Sequence, residues 1–219
     1  MINPVTTEQL QELNLNADQP LIVCDVDEVV VHFLRGLEMF LGENGLWLDP
    51  ASFALNGNIK YAGGHDPLPG SKVGGMLEQF FSEKTGHLEL IDGADEALDA
   101  LAENAQVIML TNMPDAYRLD RIKNLSGHGI HFPVVSNSGP KGPTVKHLSE
   151  QMSAEIVFID DTPSNVNSVA THAPEVHILH FMQDHRFRQH LPDLNGIIAS
   201  VDNWEDGHKH IHQAISQKG

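Results

Sequence analysis

Short apolar runs that each stop at a polar cluster punctuate the chain. Leu21-Ile22-Val23-Cys24 follows Pro20 and breaks off at Asp25-Val26-Asp27-Glu28. Gln106-Val107-Ile108-Met109-Leu110 ends in Thr111-Asn112, and Ile156-Val157-Phe158-Ile159 ends in Asp160-Asp161. Residues 176–179 form a shorter fourth run and residues 132–135 a fifth. Continuous apolar runs bounded by turn signals suit strands buried on both faces of a parallel sheet. Between them the apolar spacing becomes helical, over residues 94–102 with Leu98 and Leu101 on one face, over 116–125 and over 144–152. A short capped helix over residues 8–13 precedes the first strand. Strands alternating with helices predict right-handed crossovers and an α/β fold, a parallel sheet covered on both faces.

The alternation fails over residues 32–88. Residues 32–41 place Phe33, Leu34, Leu37, Phe40 and Leu41 at helical spacing. Residues 71–83 do the same with Val73, Met76, Leu77, Phe80 and Phe81. Residues 44–70 between them are rich in Gly, Pro, Asn and Asp, which predicts long loops. The segment reads as a smaller, mostly helical cap inserted into a core made of residues 1–31 and 89–219. Gly63-Gly64 and Gly74-Gly75 read as turns or hinges, because no Gly-x-x-x-x-Gly-Lys-Ser/Thr phosphate loop is present.

Composition narrows the function. With 41% apolar and 20% charged residues over 219 positions, the chain can bury a core. Thirty acids against thirteen bases give a net charge of −17, which argues against a nucleic-acid partner. One cysteine rules out an intrachain disulfide and permits a reducing compartment. No apolar run has the length of a membrane span, and the first residues lack the pattern of a secretory signal, so a cytoplasmic protein with no membrane partner is expected. The oligomeric state stays open.

Ligands of open parallel sheets bind beyond the carboxyl ends of the strands. The polar clusters stand at those ends: Asp25 and Asp27, Thr111 and Asn112, and Asp160 and Asp161. Lys141 opens a predicted helix shortly before the last pair. Carboxylates gathered in one partly buried site repel one another and need a cation. Aspartate oxygens suit Mg²⁺, which takes one or two carboxylates plus a substrate phosphate. Lys141 would add positive charge beside a nucleophilic carboxylate, Thr111 a hydroxyl donor, and Asp27 a proton for the leaving oxygen.

The order Asp25-Val26-Asp27-Glu28-Val29, then Thr111 with Asn112, then Lys141, then Asp160-Asp161-Thr162-Pro163-Ser164-Asn165 resembles the four motifs of the haloacid dehalogenase (HAD) superfamily. The resemblance covers roughly residues 18–32 and 90–200. It implies a three-layer Rossmann-like core with a cap inserted after the first motif. It implies Asp25 as the nucleophile that forms an aspartyl-phosphate and Asp27 as general acid and base. It implies Thr111, Asn112 and Lys141 as phosphate-binding residues. Mg²⁺ would be held by Asp25, the Asp27 carbonyl and Asp161, with Asp160 helping directly or through water. Dehalogenases of the superfamily lack an aspartate at the position of Asp27, so the resemblance implies a hydrolase of a small phosphomonoester. A phosphomutase shares every motif. A 2-haloacid dehalogenase is disfavoured by Asp27, and a receiver-like or idle binding protein is the rival of another class.

Glu28 stands where the superfamily often has glycine, which bears on the turn beside Asp25. Lys146 is the alternative to Lys141. Cys24 reads as a small core residue. His208, His210 and His212 raise a second metal site against a solvated tail, and His208 and His212 would share a helix face. Arg35, Lys60, Lys72, Arg118 and Arg121 are the bases nearest the expected mouth. One or two of them are candidates for binding the rest of the substrate, and each alone reads as a surface charge.

Overall fold

All four side chains of strand β1 (Leu21–Cys24) are buried because it lies in the middle of a six-stranded parallel sheet. The computed structural model describes residues 1–216. Helix α1 (Pro4–Gln11) precedes β1. Helix α2 (Phe33–Glu43), strands β2 (Leu46–Leu48) and β3 (Ile59–Tyr61) and helix α3 (Gly70–Lys84) follow it. The chain then alternates through α4 (Ala94–Ala102), β4 (Gln106–Thr111), α5 (Arg118–Gly127), β5 (Val134–Ser136), α6 (Gly142–Ser149), β6 (Ile156–Asp160), α7 (Pro163–His172) and β7 (His177–Phe181). Strand β8 (Ile197–Val201) and helix α8 (Trp204–Ser216) complete it. Among the described residues no helix is long and apolar enough to cross a membrane.

The strand order is β5-β4-β1-β6-β7-β8. The chain runs outward from β1 through β4 and β5, returns to β6 beside β1, and continues outward the other way. Leu21 pairs in register with Gln106 on one side and Ile156 on the other. The order therefore reverses at β1, and the carboxyl ends of β4, β1 and β6 adjoin at this switch point.

Successive side chains of a strand point to opposite faces, so β1 feeds two cores. Leu21 and Val23 pack with Ile108, Phe158, Val145 and Val166, which brings α6 and α7 onto one face. Ile22 and Cys24 pack with Leu98, Trp204 and Ile211 on the other, beneath α4 and α8. The result is the three-layer α/β core expected. Each fully buried Leu, Ile or Val stabilises by about 2 kcal/mol, so the strand that carries Asp25 is firmly fixed.

Several elements depart from the expectation. Residues 44–70 contain a two-stranded antiparallel hairpin, β2 with β3, in which Leu48 pairs with Ile59. Leu46, Leu48 and Ile59 are buried against α2 and α3, which is why so short a hairpin is retained. Strand β8 is an edge strand with alternating exposure, so it lacks a continuous apolar run. Helix α7 offers only Val166 and Val169 as large apolar residues. Residues 204–216 form a packed helix rather than a solvated tail. Trp204 is buried and donates its indole N–H to the Val29 carbonyl at 2.8 Å.

One glycine is required by close approach. A Cβ on Gly142 would lie 2.4 Å from the Ser168 carbonyl oxygen. Only glycine lets α6 begin against α7, and that contact seats Lys141 at the α6 N-cap.

Candidate active site

The turn after β1 is built from apolar residues although it carries the acids. Val26, Val29, Val30 and Val31 are all fully buried, and the Val26 carbonyl accepts from the N–H groups of Val30 and Val31 at 2.8 and 3.0 Å. Trp204 braces the turn from beneath through Val29. The Asp25 Oδ1 atom accepts the Val26 N–H at 2.7 Å.

Lys141 is wholly buried and joins two strand ends. Its Nζ lies 2.7 Å from Asp25 Oδ1 and 2.7 Å from Asp160 Oδ2. Burial pulls the ammonium pKa down, but Asp160 and Asp25 outweigh it and hold it above the ordinary lysine value. Lys146 is half exposed and pairs with Glu150 at 3.1 Å, away from this cluster. Asp160 is saturated. It takes Lys141 on Oδ2, the Thr162 N–H on Oδ1 at 2.8 Å, and Asn165 Nδ2 on both oxygens at 3.2 Å. Its place is therefore behind Lys141, while Asp161 and Asp25 face the cavity.

Asp27 sits between two donors. Arg121 Nη2 is 2.5 Å from its Oδ1, and the Thr111 hydroxyl is 3.4 Å from its Oδ2. Thr111 is fully buried. Asn112 lines the cavity and is steadied by Asn137, whose Nδ2 donates to the Asn112 side-chain oxygen at 2.7 Å and to the Gly139 carbonyl at 2.9 Å. Thr144 in turn donates to Asn137 at 2.8 Å. Arg121 as a partner of Asp27, and Asn137, were not singled out from the sequence, because their spacing carries no local signal; Asn165 stood in the fourth motif without a role of its own.

His180, another residue missed, is buried on β7. Its Nε2 donates to the Asp161 carbonyl at 3.1 Å and its Nδ1 accepts the Ser200 hydroxyl at 2.8 Å, which fixes the neutral tautomer. Burial also lowers its pKa. Glu28 keeps the left-handed backbone that glycine would favour, with φ of 60°. That conformation costs a non-glycine residue about 1 kcal/mol. It directs the carboxylate to the start of α2, where Oε1 accepts the otherwise unpaired Leu34 N–H at 2.6 Å. Burial, with help from Asp184 and Asp27, raises its pKa to about 7 against the Leu34 bond.

Asp25, Asp160 and Asp161 offer carboxylate oxygens within 4.8 Å of one another. The buried Asp25 and Asp160 and the half-buried Asp161 face one ammonium, so the cluster has surplus negative charge. Burial first, and then the neighbouring acids, lifts the Asp25 pKa to about 8 in spite of Lys141 and lifts that of Asp161 well above the usual range. Hard oxygen donors with a charge deficit of this kind fit a divalent cation such as Mg²⁺. This is the sole such group among the described residues. His208 and His212 stack at 6.0 Å between ring centroids on α8, without an acidic or cysteine partner in such a group.

A cavity of about 260 Å³ opens over Asp25, Asp27 and Asp161 and reaches Phe53, Leu55 and Phe187. None of the five bases near the expected mouth lines it. Arg35 pairs with Glu89 at 2.8 Å, Lys60 with Asp49, and Arg118 donates to the Val134 carbonyl at 2.7 Å. Lys72 is exposed on α3. Arg121 is the exception to the surface reading, being completely buried. Cys24 is buried, and burial raises its thiol pKa, which leaves it an unreactive core residue.

No protein-family model matches the chain, and no curated protein matches it in sequence. Solved structures do match. A haloacid dehalogenase-like protein of unknown function from Agrobacterium tumefaciens has a TM-score of 0.62 at 16% identity, over 88% of this chain and 97% of that one. A HAD family hydrolase from Deinococcus radiodurans, with bound phosphate and sodium, gives 0.61 at 17% over 91% and 97%. A magnesium-bound HAD-like protein from Bacillus subtilis gives 0.60 at 14% over 88% and 98%. What they share with this chain is the fold.

Proposed function

We propose that this chain, which has the fold of the haloacid dehalogenase-like hydrolases, is a Mg²⁺-dependent phosphatase that cleaves a small phosphomonoester. The observation that carries the reading is the joint placement of Asp25, Asp27 and Lys141 at adjoining strand ends. Asp25 Oδ1 is occupied by the Val26 N–H and Lys141, leaving Oδ2 as the attacking oxygen. Attack on phosphorus forms an aspartyl-phosphate on Asp25 and breaks the ester bond. Asp27 supplies the proton to the departing oxygen and then takes one from the water that hydrolyses the acyl phosphate. Thr111 and Asn112 donate to phosphoryl oxygens. The metal, when bound by Asp25 and Asp161, neutralises charge on the phosphoryl group. Residues 32–88 act as a cap that excludes bulk water.

Support for the phosphoryl substrate comes from Asp27, and from relatives in fold that hold phosphate or magnesium. The test is phosphate release from aryl, alkyl and sugar phosphates with and without Mg²⁺, beside Asp25→Asn. Mg²⁺-dependent release that vanishes in the variant is expected. Transfer of phosphate within a sugar, with none released to water, would replace the phosphatase by a mutase.

A further inference from the structure

The cavity has one polar end and one apolar end. Its floor carries Asp25, Asp27 and Asp161. Away from the floor, Leu34, Leu48, Phe53, Leu55 and Phe81 come from residues 32–88, and Met182 and Phe187 from the segment after β7. Phe53 and Phe187 meet across the space with ring centroids 5.5 Å apart.

No lysine, arginine or histidine lines this cavity. Besides Asp25, Asp27 and Asp161, the charged residues that line it are Glu28 and Asp184, both acids. Each already has a partner: Glu28 takes the Leu34 N–H, and Asp184 takes Arg186 through its guanidinium and N–H groups. Lys141 is committed beneath the floor to Asp25 and Asp160. A carboxylate or second phosphate on the leaving group would therefore be stripped of water against carboxylates with no cation to receive it, which is strongly unfavourable. Of the neutral polar side chains in the lining, Asn112, Thr162 and Asn165 are engaged with Asn137, Asp161 and Asp160, which leaves Ser52, Ser164 and Gln183 for a sugar's hydroxyls. The volume is below the range typical of drug-sized ligands, which limits the leaving group to a small one.

We propose that this cavity selects a small phosphomonoester whose leaving group is apolar and carries no negative charge. The proposal rests on the phosphatase reading for the phosphoryl end and adds the class of alcohol released.

Nonhydrolysable phosphonates test it without turnover. With Mg²⁺ present, benzylphosphonate and phosphonoacetate are titrated calorimetrically into the full chain. Benzylphosphonate is expected to bind tighter by about tenfold or more. Equal affinity, a preference for phosphonoacetate, or binding of neither would each overturn the proposal. Ser52→Lys places a cation on the exposed rim and is expected to narrow the gap by strengthening phosphonoacetate. An unchanged ratio would show that the leaving group lies outside this cavity and would also overturn it. Phosphate release from benzyl phosphate is measured separately. Selective phosphonate binding without release would sink the phosphatase reading and leave the selectivity standing.

Discussion

Arg121 Nη2 lies 2.5 Å from Asp27 Oδ1, and the arginine is completely buried while the Asp27 side chain is 18% exposed. The pair joins α5 to the turn after β1. Arg121 Nε and Nη1 make no hydrogen bond among the described residues, so this guanidinium is buried chiefly for Asp27. Removing one partner of a buried ion pair costs about 3 kcal/mol, because the other charge is left uncompensated. Arg121→Met is therefore expected to lower stability by about that amount in urea unfolding. It should reduce the rate of phosphate release by about tenfold to a hundredfold, with KM little changed, since the arginine does not line the cavity. Arg121→Lys should restore part of both. An unchanged kcat in Arg121→Met would show that Asp27 needs no such support.

Glu28 gives the wild-type protein a stability term that depends on pH. Its folded pKa is about 7 against an ordinary 4.5. Between those values the unfolded chain has released the proton while the folded chain retains it, so stability falls as pH rises. Over this window the loss is about 3 kcal/mol. Glu28→Gln keeps an acceptor for the Leu34 N–H but does not titrate. Denaturant unfolding in chelator at pH 4.5, 6 and 7.5 should show the variant gaining on wild type by about that amount. Parallel curves for the two proteins would count against this account of Glu28.

Metal binding must compete with protons. Without metal the Asp25 pKa is about 8 and that of Asp161 is also raised, so both carboxyls hold protons at low pH that a bound cation has to displace. Mg²⁺ affinity should weaken by at least about tenfold between pH 8 and pH 6. The Mg²⁺-induced rise in Tm should shrink in parallel. Titrations in buffers of different ionisation enthalpy will count the protons released. A pH-independent Kd with no proton release would mean that the cation is bound elsewhere.

The core strands were legible in the sequence because a strand buried on both faces has no choice but to be apolar throughout. Leu21–Cys24, residues 107–110 and residues 156–159 carry that mark, and the polar residues at their ends stand out against it. The alternation with helices fixed the class of fold for the same reason, since periodicity is a local property. Elements without a two-sided apolar environment were harder to see. Edge strand β8 alternates in exposure, α7 carries two valines, and β2 with β3 is held by neighbours from α2 and α3.

The partners of the candidate site were decided only in three dimensions. Arg121 sits in a helix of mostly polar residues and reads as a surface charge. Its burial follows from Asp27, 94 residues earlier, being brought to its tip by β1. His180 gains its place from the carbonyl of Asp161 and the hydroxyl of Ser200, and Asp160 is turned to Lys141 by Thr162 and Asn165. The sequence by itself determined which segments had to be buried, because hydrophobic burial is written residue by residue. Only the tertiary structure decided which charge meets which, because an ion pair depends on the distance between groups that the chain order does not contain.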